Sequence, residues 1–153
     1  KGHGVAFADY DNDGDQDIFE QMGGSLRGDK YNNVLYENPG GDHHFITIKL
    51  VGVRSNRAAI GARIHIEILE NEKRRSIYKY INSGGSFGAN PLRQTIGLGS
   101  ATKIEALSVF WPTTDRTQIF HDVPVDRFIQ ITEGESTYIF LKLKQLQLGG
   151  NRH

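Results

Sequence analysis

Ile64, Ile66 and Ile68 alternate with Arg63, His65 and Glu67, the two-residue period of a strand with one buried face and one wet face. The same period runs from Phe45 to Leu50, where Ile46, Ile48 and Leu50 alternate with Phe45, Thr47 and Lys49. Beyond residue 42 the chain continues as short alternating segments rich in β-branched and aromatic residues, separated by glycine and small polar residues. That pattern predicts an all-β fold, an antiparallel sandwich or barrel. Strands are predicted at 5–8, 17–21, 33–36, 45–53, 62–69, 76–82, 94–97, 104–111, 118–120, 128–132 and 138–143. Asn71-Glu72 reads as a turn, Gly97-Leu98-Gly99 as another, and no helix is predicted. Near the C-terminus Ile139, Leu141 and Leu143 alternate with Phe140 and Lys142, and the apolar phase then moves to Leu146 and Leu148, as a bulge near Lys144-Gln145 would make it do. A strand of this kind needs a neighbour, which its own sandwich or a second copy of the chain can supply.

Residues 23–41 break the pattern. Glycine, aspartate and asparagine dominate there, and Asn38-Pro39-Gly40-Gly41 closes the stretch like a linker. The expected organisation is an N-terminal segment 1–41, a β-sandwich at 42–135, and a C-terminal strand and tail at 136–153.

The N-terminal segment holds the clearest chemistry. Asp9-Tyr10-Asp11-Asn12-Asp13-Gly14-Asp15-Gln16-Asp17 places carboxylates at alternate positions around a glycine. Ca²⁺ takes six to eight oxygens, and alternate carboxylates in a curled loop point inward while glycine permits the sharp bend. Without a cation these like charges repel. A solvated Asp-Gly turn does not account for five alternating aspartates. The row also satisfies the EF-hand expression with Glu20 at loop position twelve. An EF-hand needs flanking helices, however, and these flanks carry strand and glycine signals. They favour a shorter loop between two strands, with the side chains of Asp9, Asp11, Asp13 and Asp17 and the carbonyl of Asp15 as Ca²⁺ ligands.

Gly4-Val5-Ala6-Phe7-Ala8-Asp9, running into Asp-x-Asp-x-Asp-Gly-x-x-Asp and then Ile18-Phe19, resembles an FG-GAP or VCBS-type repeat, the blade unit of calcium-binding β-propellers. The resemblance implies Ca²⁺ at Asp9, Asp11, Asp13, Asp15 and Asp17, and makes the first element a calcium-binding β-hairpin of propeller type. A blade has about four strands and sister blades; only a partial blade is expected here, with edges that something must cap. Farther along, Ser55-Asn56-Arg57 with Ile60-Gly61-Ala62-Arg63, Gly84-Gly85-Ser86-Phe87 with Leu92-Arg93, Ile96-Gly97-Leu98-Gly99, Trp111-Pro112 and Ile131-Thr132-Glu133-Gly134 together resemble the ASPIC/UnbV domain. In cartilage acidic protein-like relatives that domain commonly follows such repeats. This second resemblance covers about residues 42–135 and implies a secreted or cell-surface β-domain with no established catalytic residues.

Composition narrows the partners. The 153 residues carry 18 Lys plus Arg against 18 Asp plus Glu, so no whole-chain field attracts nucleic acid. Cysteine is absent, which removes disulfides, zinc ribbons and thiol catalysis. No apolar run approaches the ~20 residues of a membrane span. The chain opens on Lys1 rather than methionine, so a fragment or processed product is expected. Gly84-Gly85-Ser86-Phe87-Gly88 matches the serine nucleophile elbow literally, but Pro91 and Gly97 leave no room for the helix that must follow it. His43 and His44, adjacent on a strand, point to opposite faces, and His65 and His121 lack partners at metal-ligand spacing. Trp111 beside Phe110 offers an aromatic platform for sugar, although a single tryptophan at a strand end more often packs in the core.

The expected function is therefore that of a calcium-stabilised extracellular adhesion or interaction module without catalysis. Its expected partner is a protein or glycan at the cell surface or matrix. Edge strands offer a route to homo-oligomers, and neither nucleic acid nor a membrane span is expected. The alternatives are a structural subunit of an extracellular assembly or filament and, less favoured, a secreted serine hydrolase acting through Ser86.

Overall fold

The computed structural model of the chain describes residues 2–24, 26–28, 30–82, 84 and 89–147. Eleven strands and no helix occur among them: β1 Gly2–Ala8, β2 Asp17–Met22, β3 Val34–Tyr36, β4 His44–Val51, β5 Arg63–Glu70, β6 Lys73–Tyr80, β7 Gln94–Gly99, β8 Lys103–Trp111, β9 Arg116–Pro124, β10 Arg127–Thr132 and β11 Tyr138–Phe140. Two compact units emerge, one from Lys1–Gly40, Ser83–Pro91 and Leu143–His153, the other from Gly41–Asn82 and Leu92–Lys142.

The first unit is built on a three-stranded antiparallel meander, β1-β2-β3. Its first hairpin closes at the Ala8–Asp17 pair, so the aspartate run forms the connection between two strands and the EF-hand's flanking helices are not there. The Phe7 amide donates to Asn90 Oδ1 at 2.9 Å.

The second unit is a β-sandwich of two four-stranded sheets, ordered β11-β10-β4-β7 and β6-β5-β8-β9. The isoleucine alternation in β5 lands as expected: Ile64, Ile66 and Ile68 are buried while Arg63 and Glu67 are exposed. They meet Ile46, Ile48, Ile96, Leu98, Ile129 and Ile131 of the facing sheet in one apolar cluster, the dominant source of stability for such a layer pair. Trp111 sits in that cluster at 1% exposure, which settles it as core; Phe110, one residue earlier, takes the opposite face.

Four expectations need correction. β4 and β10 run parallel, with Arg127 opposite Ile46 through Thr132 opposite Val51, because the chain leaves β9 in one sheet and enters β10 in the other, a crossover that local alternation does not encode. Thr47, expected on a wet face, is 1% exposed. β4 lies between β10 and β7, and the Thr47 hydroxyl meets that of Thr95 at 3.0 Å. Gly97-Leu98-Gly99 is not a turn; it completes β7 opposite Phe45 and His44 across a bulge. The last strand stops at Phe140 rather than at 143. After it the Leu141 amide donates to Phe128 O at 2.7 Å, and residues 141–147 leave the ladder. Leu148, where the phase shift was to end, lies outside the described residues.

The Asn71-Glu72 turn is as expected. Both residues have positive φ, 49° and 62°, the two-residue turn that matches the twist of the β5–β6 hairpin.

Candidate metal centre

The aspartate loop is curled by its own side chains. The Asp13 amide donates to Asp9 Oδ1 at 3.1 Å and to Asp11 Oδ1 at 3.2 Å, and the Asp15 amide donates to Asp13 Oδ1 at 2.9 Å. Asn12 and Gly14 take positive φ, 62° and 103°, conformations that asparagine and glycine tolerate best. At the base, Asp17 Oδ2 accepts from the Tyr10 amide and Oδ1 from the Asn38 amide, both at 2.9 Å.

This folding brings one carboxylate oxygen from each of Asp9, Asp11 and Asp13 within 4.8 Å of one another. Two ligands on opposite sides of a Ca²⁺ with bonds of ~2.4 Å are ~4.8 Å apart, so all three oxygens can contact one ion. Asp9 and Asp11 are only 4% and 6% exposed. Burial raises the Asp11 pKa, and the charges of Asp13 and Asp17 raise it further, against a lowering contribution from the Asp13 amide. Buried, crowded carboxylates of this kind fit a hard divalent cation by their donor chemistry.

The other two sequence-predicted ligands lie outside that trio. Asp17, 1% exposed, ties the loop ends together, and its oxygens retain lone pairs for an ion. Asp15 turns its carboxylate toward Gly40: a Cβ there, at φ +78°, would stand 2.9 Å from Asp15 Oδ2.

Two features of the site were missed in the sequence. Asn38-Pro39-Gly40, part of the stretch read as a linker, folds onto the loop, since Asn38 also donates from Nδ2 to Gln16 O at 3.4 Å and Gly40 N donates to Asn38 Oδ1 at 3.2 Å. The only local signal was that asparagine forms Asx turns as readily as linkers. The C-terminal run was the other. The Leu146 amide donates to Asp11 O at 2.7 Å, and Asn12 Nδ2 donates to Lys144 O at 3.0 Å. Asp11, Asp13, Glu37 and residues 144–147 line an open cavity of about 840 Å³. Nothing in the tail's own sequence announces that contact.

A buried carboxylate also organises the sandwich. Glu133, 8% exposed, accepts at Oε2 from the amides of Val53, Arg54 and Ser55 at 2.8, 2.8 and 2.7 Å. Its Oε1 accepts from the hydroxyls of Ser55 at 2.8 Å and Thr114 at 3.0 Å. Burial pushes its pKa up, but the donors from Ser55, Val53 and Thr114 outweigh burial and hold it at about 2. Three successive amides converging on one oxygen make an anion nest. The Asn56 side chain knits the same loop, donating to Ile60 O and accepting from Ile60 N. Thus the separated motifs around Ser55 and Glu133 are one structural device.

Three histidines of the second unit pack against neighbours within it. His44 Nδ1 lies 2.7 Å from Asp126 Oδ2, His121 Nδ1 lies 3.3 Å from Glu105 O, and His65 stacks on Tyr78. Ser86, with Gly85, Phe87 and Gly88, lies outside the described residues.

Residues 52–138, more than half of the chain, match the family model described as ASPIC and UnbV. The match spans both halves of the Glu133 anchor and does not extend to the aspartate loop. None of the curated proteins matches the chain.

Proposed function

The chain belongs to the ASPIC and UnbV family, a domain of extracellular type, and on that footing we propose that it serves as a calcium-stabilised interaction module, secreted or surface-borne, without catalysis. The observation that carries the reading is the convergence of Asp9, Asp11 and Asp13, two of them almost fully buried, with one oxygen of each within 4.8 Å of the others. Asp9, Asp11 and Asp13 would hold Ca²⁺ by their carboxylates, with Asp17 at the base and the Asp15 carbonyl completing the set; the loop's resemblance to FG-GAP and VCBS-type repeats supports the same assignment. The ion supplies charge neutralisation and no bond-breaking step. Its effect is to order the hairpin connection and whatever leans on it, including Asn38 and the C-terminal run.

Calorimetric titration of the metal-free chain with Ca²⁺ and with Mg²⁺ tests this. One Ca²⁺ per chain is expected, with Asp11→Asn and Asp9→Asn each weakening it at least about tenfold, the cost of losing a charged ligand. Absence of heat at millimolar Ca²⁺, or unchanged affinity in both variants, removes the assignment.

A further inference from the structure

The outward face of the sheet β6-β5-β8-β9 carries two rungs set by strand register. One rung runs Tyr80, Arg63, Phe110 and Thr117; the next runs Tyr78, His65, Ser108 and Ile119. A solvent-facing sheet surface ordinarily shows small polar and charged side chains, yet here Tyr78 is 70% exposed and Tyr80 55%. The His65 ring lies flat against Tyr78, centroids 4.4 Å apart and planes 5° from parallel. With one side of Tyr78 covered in this way, its exposure belongs to the other side, an open and braced aromatic surface. Beside it the Arg63 guanidinium lies over the Phe110 ring at 4.4 Å. Among the described residues Arg63 has no carboxylate partner, so its N–H edge is unengaged while its face is stacked.

A shallow groove of about 380 Å³ runs over this patch. Two rungs span ~7 Å along the strands, and four strands span ~14 Å across them, the footprint of a short oligosaccharide. The lining chemistry selects further. Aromatic surfaces receive the C–H faces of sugar rings, the hydroxyls of Ser108 and Thr117 suit sugar hydroxyls, and a stacked guanidinium with a bare edge is built to take a carboxylate in two parallel hydrogen bonds.

We propose that this face binds an acidic saccharide, a uronate-bearing oligosaccharide, with Tyr78 and Tyr80 against the sugar rings and Arg63 on the carboxylate. A single-stranded nucleic acid also stacks on aromatics, but it takes a positively charged groove that tracks its phosphate backbone, and among the described residues the cationic lining of this groove is Arg63 and Lys79. The site lies wholly within the sandwich unit and draws nothing from the aspartate loop, so it stands or falls separately from the calcium reading.

The test is a titration followed by amide and side-chain NMR shifts in EDTA, which keeps calcium from bridging uronates. The probes are tetragalacturonate, its neutral methyl ester and a ten-nucleotide thymidine strand. Tetragalacturonate is expected to shift Arg63, Tyr78, Tyr80 and Phe110, with the ester bound at least about tenfold more weakly. Arg63→Gln should lose a similar factor and Tyr78→Ala with Tyr80→Ala should abolish binding, both with unchanged melting temperature because all three side chains are exposed. The mapping on the unaltered chain decides the matter should a variant fail to fold. No binding, shifts confined to another surface, equal affinity for acid and ester, or tighter binding of the oligonucleotide overturns the proposal.

Discussion

Glu133→Gln removes one charge and almost no volume, so it isolates what the buried carboxylate contributes to the sandwich. The carboxyl lies at about 2 against an ordinary value of 4.5, a gap equivalent to about 3 kcal/mol of preference for the charged form in the folded chain. Some of that is screened at the loop surface, leaving ~2–3 kcal/mol. A glutamine can still turn its oxygen to the amides of Val53, Arg54 and Ser55 and its NH₂ to the hydroxyls of Ser55 and Thr114, so the loss is the charge-assisted part and not the geometry. The expected fall in melting temperature at pH 7 is roughly 5–10 °C. The sign of the pH dependence follows from the lowered pKa: the stabilisation is fully present above 4.5 and is lost as pH falls toward 2. Chemical denaturation of both proteins between pH 7 and 2.5 should therefore show their stabilities converging as pH drops, the unaltered chain losing more. Parallel curves over that range, or equal stability at pH 7, would refute the claim that five donors on one carboxylate pin the 53–55 loop to the end of β10.

Glu72→Gly relieves a non-glycine residue at φ 62° in the β5–β6 turn and should raise stability by roughly 0.5–1 kcal/mol in thermal melts. Gly40→Ala sets a methyl group 2.9 Å from Asp15 Oδ2 at a left-handed φ, so Ca²⁺ affinity by calorimetry should drop roughly fivefold while the sandwich's melting transition stays in place. On chelation, hydrogen exchange should quicken at the amides of Tyr10, Asp13 and Asp15 and at those of Asn38 and Leu146, while β5 and β8 keep their protection; a uniform rise across the chain would contradict this.

The strands were legible because burial in a sandwich is periodic and the period is written locally. Ile64, Ile66 and Ile68 can face only one way together, and each of the eleven predicted segments overlaps a strand. What escaped was set by partners distant in sequence. β6 begins at Lys73 and β9 extends over Arg116–Pro124 because long antiparallel neighbours in β5 and β8 hold basic and polar residues that have no strand preference of their own. The parallel match of β4 with β10 and the burial of Thr47 have the same origin. The convergence of the Asp9, Asp11 and Asp13 carboxylates was also local, since their alternate spacing in a curled loop brings them together. The docking of Asn38 and of Leu146 was not, because a backbone amide presented to a loop leaves no mark on the sequence that supplies it. Glu133 had a mark only as half of a motif whose other half stands near Ser55, and the physical reason for the pair became visible once both reached the same end of the sandwich.

On this reading the aspartate loop is a calcium site that orders the first unit. A crystal structure of the chain grown from millimolar Ca²⁺ tests it most directly. One ion is expected with carboxylate oxygens of Asp9, Asp11 and Asp13 at ~2.3–2.6 Å, the Asn38 segment closed over the loop's base and the Leu146 amide still on Asp11 O. An ordered loop whose carboxylates hold only water in that crystal, or a single Ca²⁺ bound at some other place, would contradict it.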